Sequence, residues 1–184
     1  MTGTGYTFTA SDDCRLEIHT GVTGKASKMG HRLTIAVTRW RADVDWSGDR
    51  PTGVELSAEV ASIEVVHGEG GVTPLLGPEK TVARANALKT FDAQRFGHIG
   101  FRTHTVDETT EGHRLVGTLE IHGVTRDHTV DVTVDDTGDT WSLSAETVVR
   151  QSDFGIKPYS QLMGAMKVVD DVTVAFTAER PKRD

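Results

Sequence analysis

The chain has 184 residues, 36% of them hydrophobic, with a formal net charge of −7 and a pI near 5.6. It is long enough for one domain with a substantial core, expected over residues 1–184, and its acidic balance gives no general attraction to nucleic acid or to an anionic membrane surface. A single cysteine, Cys14, rules out an internal disulfide; with no secretory pattern in "MTGTGYTFTASDD" and no apolar run near the roughly 20 residues of a membrane span, a cytoplasmic protein is expected.

Thr and Val supply 46 of the 184 residues. Both are β-branched and suit a pleated surface, and the glycines that punctuate them suggest many strands joined by tight turns. An N-terminal pair of strands is expected around Phe8 and around Leu16–Ile18. In "HRLTIAVT", Leu33, Ile35 and Val37 share one face. In "WRADVDW" the apolar set is Trp40, Ala42, Val44 and Trp46, one residue out of phase with the first, which predicts a bulge or sharp bend within a long strand. "GVELSAEV" continues with Val54, Leu56, Ala58 and Val60.

"PEKTVARANALKTF" breaks the rhythm. Val82, Ala85, Leu88 and Phe91 recur every three residues after Pro78, predicting one helix from about residue 78 to 91. The preceding "HGEGGVTPLLG" lacks the ending of a phosphate loop and reads as a mobile or ligand-covering loop. Alternation then resumes with Ile99 and Phe101, with Leu115, Gly117, Leu119 and Ile121, and with Val130, Val132 and Val134. It continues with Trp141, Leu143 and Ala145, and with Val172, Val174, Phe176 and Ala178. Eight to ten antiparallel strands with one apolar face suit a closed barrel or a sandwich, and pattern alone leaves both open.

Signals for chemistry are weak. The eight histidines include no His-x-His pair and there is no second cysteine, so no metal site is expected. No Gly-x-Ser-x-Gly elbow occurs. The acid pairs Asp135–Asp136 and Asp170–Asp171 fall at strand ends, where nothing would desolvate them. No catalytic residue and no cofactor is expected. In "GTLEIHGVTRDHTVDV" the polar residues gather around a hairpin turn, with Gly123 supplying its backbone freedom. His122, Arg126, Asp127 and His128 read as outward-facing there. "SDFGIKPYSQLMGAMKV" has no clean period; it reads as a loop capping the core, or as an adaptable wall of an apolar cavity.

The order "RFGHIGFRT", "GTLEIHGVTRDHTVDV", "VRQSDFGI" and "GAMKVVDDVTV" resembles the YceI-like family, lipocalin-shaped barrels associated with polyisoprenoid lipids. The chain departs from the family pattern at Phe96–Gly97, where Tyr-Pro is usual, and at Asp127–His128, where Pro followed by an apolar residue is usual. It looks like a distinct cytoplasmic branch. The resemblance implies an all-β, antiparallel, lipocalin-like β-barrel of about eight strands with one α-helix near residues 78–91, packed at one opening. It also implies an interior pocket for an isoprenoid or other apolar small-molecule ligand, and no catalysis. The inward faces then nominate Leu33, Ile35, Val37, Phe101, Leu119, Ile121, Trp141 and Leu143 as lining residues. Phe154, Tyr159, Met163 and Met166 are placed near a mouth, and His31 is a candidate polar contact. A homodimer is the expected assembly. An interaction module with its barrel packed shut, or an enzyme acting on a hydrophobic substrate, are the alternatives.

Overall fold

The computed structural model describes residues 5–182. Its strands are, in chain order, β1 (Tyr6–Thr9), β2 (Cys14–His19), β3 (Val22–Thr23), β4 (His31–Val37), β5 (Trp40–Ser47), β6 (Arg50–Glu59) and β7 (Ile63–Gly70). A helix α1 (Gly77–Thr90) precedes β8 (His98–Glu108), β9 (Gly112–Ile121), β10 (Val124–Asp136), β11 (Thr140–Arg150), β12 (Ser160–Gln161), β13 (Met166–Val168) and β14 (Asp171–Pro181). Strands β12, β13 and β3 form a small sheet, and the other eleven form one large sheet.

The large sheet is a barrel of eight long strands, three of them interrupted. β4 and β5 are one strand bent at Thr38–Arg39, where the apolar phase slips. β6 and β7 are its partner, bent at Val60–Ser62, so that the two pair along their whole length. β1 and β2 likewise run in one direction along β5 and β4. The circuit continues from β6 through β8, β9, β10, β11 and β14 back to β2, every pairing antiparallel. The all-β barrel is as expected, but the strand count differs from about eight: the large sheet has eleven strands, because three of its long strands are interrupted by bends.

Among the described residues β7 pairs only with β4, so one of its edges lies outside the ladder. Unpaired carbonyls on a sheet edge need other donors, and α1 provides them. Lys80 Nζ donates to Val66 O at 2.8 Å, and Arg84 donates through Nε to Ile63 O and through Nη2 to Ala61 O, both at 2.7 Å. The helix starts and ends within a residue of expectation. Of the residues spaced by three, Ala85 is exposed, Val82 borders the cavity while largely exposed, Leu88 packs against the core and Phe91 lines the cavity, together with Ala83, Asn86, Ala87 and Thr90. A step of three residues falls about 60° short of a full turn, so residues spaced by three drift around the helix instead of marking one side.

Two glycines answer to specific demands. The β9–β10 hairpin turns on His122 and Gly123, with φ of 54° and 72°, the left-handed pair that matches the twist of the flanking strands. Gly117 lies under β8, where a Cβ would fall 2.1 Å from Arg102 O, beside the register shift between Thr103 and Thr105. Outside, cross-strand pairs such as Arg114 with Asp131, Arg102 with Glu55 and Arg150 with Asp171 cover the wall. An apolar inside and a charged outside reverse the pattern of a membrane-spanning barrel. Among the described residues no helix is long and apolar enough to cross a membrane.

Candidate functional site: a hollow barrel

The barrel is not packed through its centre. No large side chain among the described residues is completely enclosed, because the inward faces border open space. Two apolar clusters make the wall. Phe8, Leu16, Ile35, Val37 and Trp40 anchor one; Phe101, Leu115, Leu119, Ile121, Phe154 and Ile156 anchor the other. Between them lies a cavity of about 1010 Å³, at the upper end of the roughly 300–1,000 Å³ of small-molecule sites.

The structure places Leu33, Ile35, Val37, Phe101, Leu119, Ile121, Leu143 and Phe154 on the cavity wall. Trp141 lines its far end, where Lys182 Nζ sits 4.4 Å from the ring centre and Arg180 lies 3.9 Å above Tyr6. Tyr159, Met166 and His31 line the end carrying α1 and the small sheet. Met163 does not belong with them. It is fully exposed, at the tip of the Leu162–Gly164 turn with φ of 55°. An aperiodic segment gives no phase from which to assign direction, and the left-handed backbone at Leu162 and Met163 turns both side chains to the surface.

Polar groups meet at the helix-covered mouth. Asn86 Nδ2 donates to the Tyr159 hydroxyl at 3.1 Å, and Gln161 Nε2 donates to the same oxygen. A hydroxyl that accepts twice keeps its own proton for another acceptor. His31 Nε2 donates to Thr73 O at 2.8 Å, tying the start of β4 to the loop before α1. That loop packs tightly here: a Cβ on Gly71 would fall 2.3 Å from the His31 ring. Gln151, also on the wall, is buried and donates to Val169 O at 3.1 Å.

One residue read as outward-facing also reaches the interior. His128 lines the cavity, half-buried, with Nε2 2.8 Å from Thr147 Oγ1 and the Phe101 ring edge-on at 6.4 Å. Its signal was present in the sequence. It lies in phase with Val130, Val132 and Val134, whose side chains share that face. The other polar residues of the hairpin do stay outside, and Arg126 Nε donates to Asp153 O at 3.0 Å. Burial pushes the His128 imidazole below its ordinary value. His128 also borders the groove on the outer side of the wall, with Arg126, Asp127, Arg150, Asp153 and Asp171. The folded state thus holds the His128 proton less readily than the unfolded chain does. Stability should therefore fall as pH drops below about 6.5, the value of a free histidine, and return above it. Denaturant midpoints between about pH 5 and 8 test this, with a flatter profile expected for His128→Val.

The family model for the YceI-like domain matches residues 8–180, which takes in every strand of the barrel from β2 to β11 and nearly all of β14. The chain belongs to the YceI-like family. A search of curated protein sequences found no match. Among solved structures, BcnA of Burkholderia cenocepacia is similar at 16% identity and a TM-score of 0.65, covering 91% of this chain and 96% of that one. The YCEI protein of Campylobacter jejuni is similar at 15% identity and a TM-score of 0.60, covering 82% and 85%. A mutant of the latter, with the same coverage, holds a monobromobimane guest. At such identities the likeness establishes the shared barrel.

Proposed function

We propose that this YceI-like chain is a carrier or sensor that holds an apolar, chain-like ligand, isoprenoid or quinone-like, inside the barrel. The observation that carries the reading is the cavity of about 1010 Å³, walled by Leu, Ile, Val and Phe from every long strand. Each buried methylene contributes about 0.8 kcal/mol, so a long hydrocarbon gains affinity through length alone. Leu33, Ile35, Val37, Phe101, Leu119, Ile121, Leu143 and Phe154 would hold the chain, Trp141 would meet its far end, and Tyr159, Met166 and His31 would line its entry. An open interior favours this reading over an interaction module with a packed barrel.

Native mass spectrometry of gently purified protein, followed by organic extraction, tests it. The expected result is a discrete mass above that of the chain, traced by extraction to an apolar molecule. A protein that stays empty, and that takes up neither an isoprenoid quinone nor squalene when these are supplied, overturns it.

A further inference from the structure

The rim around the helix-covered mouth differs in charge from the rest of the chain. Three segments build it: residues 20–31, 71–86 and 155–168. Ala26 N donates to Ala165 O at 2.8 Å, β3 pairs with β13, His31 bonds Thr73 O and Asn86 bonds Tyr159, so the three are fastened together. They hold Lys25, Lys28, Lys80, Arg84, Lys157 and Lys167 against one carboxylate, Glu79, in a chain whose net charge is −7. Lys80 and Arg84 are committed to the edge of β7. The other four cations are exposed, and among the described residues none of them forms an ion pair. Asp127, Asp153 and Asp170 lie at this end too, beside the β9–β10 turn and Gln151–Phe154, with Arg126 and Arg150 among them. The four turns at the opposite end, residues 10–13, 48–49, 109–111 and 137–139, carry Asp12, Asp13, Asp49, Glu111 and Asp139 and neither lysine nor arginine. That distribution orients the barrel, rim first, toward negative charge.

The same rim is apolar at its tip. Of the nine large hydrophobic side chains that stand most exposed among the described residues, six are here: Met29, Val72, Leu76, Val82, Leu162 and Met163, each exposed by half or more. Leu162 and Met163 have φ of 52° and 55°, a left-handed backbone that bulky residues seldom adopt, and it holds both away from the core. Apolar side chains projecting from a convex turn, ringed by unpaired lysines, suit a fluid surface that closes around them: the apolar groups leave water while the lysine amines stay at the phosphates. We propose that this rim docks on an anionic lipid bilayer, with Leu162 and Met163 in the headgroup layer and Lys25, Lys28, Lys157 and Lys167 against its phosphates. Docked in this way, the mouth at Tyr159 and Met166 opens onto the membrane, and an apolar molecule passes between bilayer and barrel without crossing water. The inference concerns the outer rim and does not rest on the carrier reading, because an empty barrel docks equally well.

Flotation with vesicles tests it, using phosphatidylcholine alone and phosphatidylcholine mixed with phosphatidylglycerol, at low and high salt. Wild type should float with the mixed vesicles, remain largely free of the neutral ones, and be released by salt. The double variant Lys25→Gln/Lys28→Gln should lose roughly tenfold or more in partitioning, and Leu162→Ser/Met163→Ser should lose about as much. Lys89→Gln and Val148→Ser, exposed positions outside the rim, should bind as wild type does. Thermal melts identify any variant that fails to fold; Met163→Ser alone, at a fully exposed side chain, then carries the comparison. Wild type that floats with neither vesicle overturns the proposal, as does binding indifferent to lipid charge. Binding that survives L162S/M163S would be adsorption by charge alone and overturns it too, as do equal losses in the two controls. Light scattering that shows a dimer, lost in L162S/M163S, without vesicle binding would give the rim to a second copy of the chain and overturn the proposal. Vesicle binding by a protein that takes up no apolar ligand would leave this inference standing and remove the carrier reading alone.

Discussion

A phenylalanine in place of Ala145 is expected to reduce ligand occupancy at least about tenfold, a loss of about 1.4 kcal/mol, while leaving the empty protein folded. Ala145 faces the cavity from β11, with Val132 beside it on β10 and Phe176 on β14. In a packed core, added methylenes cost about 1–3 kcal/mol because neighbours must shift. Here the ring extends into open volume, so the melting temperature of the empty protein should stay within a few degrees of wild type. Val148, three residues further along the same strand, points outward and is 57% exposed, so Val148→Phe is the matched control and should bind normally. The readout is bound apolar mass per chain together with a thermal melt. Unaltered binding in A145F would place the ligand outside the barrel and sink the carrier reading.

Phe154→Ala should have the opposite profile, costing stability before it costs binding. Phe154 is 4% exposed and packs with Phe101, Leu119, Ile121 and Ile156, at the point where the chain leaves β11 and begins to cross the end of the barrel. Truncating a buried phenylalanine costs about 3–5 kcal/mol. For a chain of this length that corresponds to a fall in melting temperature of roughly 10 °C. Urea or thermal unfolding measures it directly. A change below about 1 kcal/mol would show that the 3-10 turn at Gln151–Phe154 is not anchored by this ring.

The inner wall was legible because a strand alternates with a period of two. Leu33, Ile35 and Val37, Leu119 and Ile121, and Leu143 all lie on the face that the alternation assigns them. The phase slip between Val37 and Trp40 marks the bend between β4 and β5. Met163 and the inner face of α1 were not legible. In an aperiodic loop, direction is set by backbone dihedrals that sequence spacing does not encode. In α1, orientation is set by Lys80 and Arg84 reaching the free edge of β7, a contact between distant parts of the chain. His128 was legible in principle. Its phase pointed inward, but the polar company of Arg126 and Asp127 suggested the surface.

By itself, the pattern of the amino-acid sequence determined an all-β, antiparallel fold with one helix, because alternating β-branched residues can bury only one face; the barrel of about eight strands was implied by the family resemblance of its motifs. It also determined which residues of each strand form that face, and the motifs that mark the family. Tertiary structure alone decided that the interior is hollow, since the same alternation would serve a barrel packed shut. Whether facing side chains meet or leave about 1010 Å³ between them depends on the distance across the barrel, which strand closure fixes and local sequence does not. Tertiary structure likewise gathered Asn86, Tyr159 and Gln161 from separate segments at one mouth, and set a lone imidazole against a hydroxyl where two strands stop pairing.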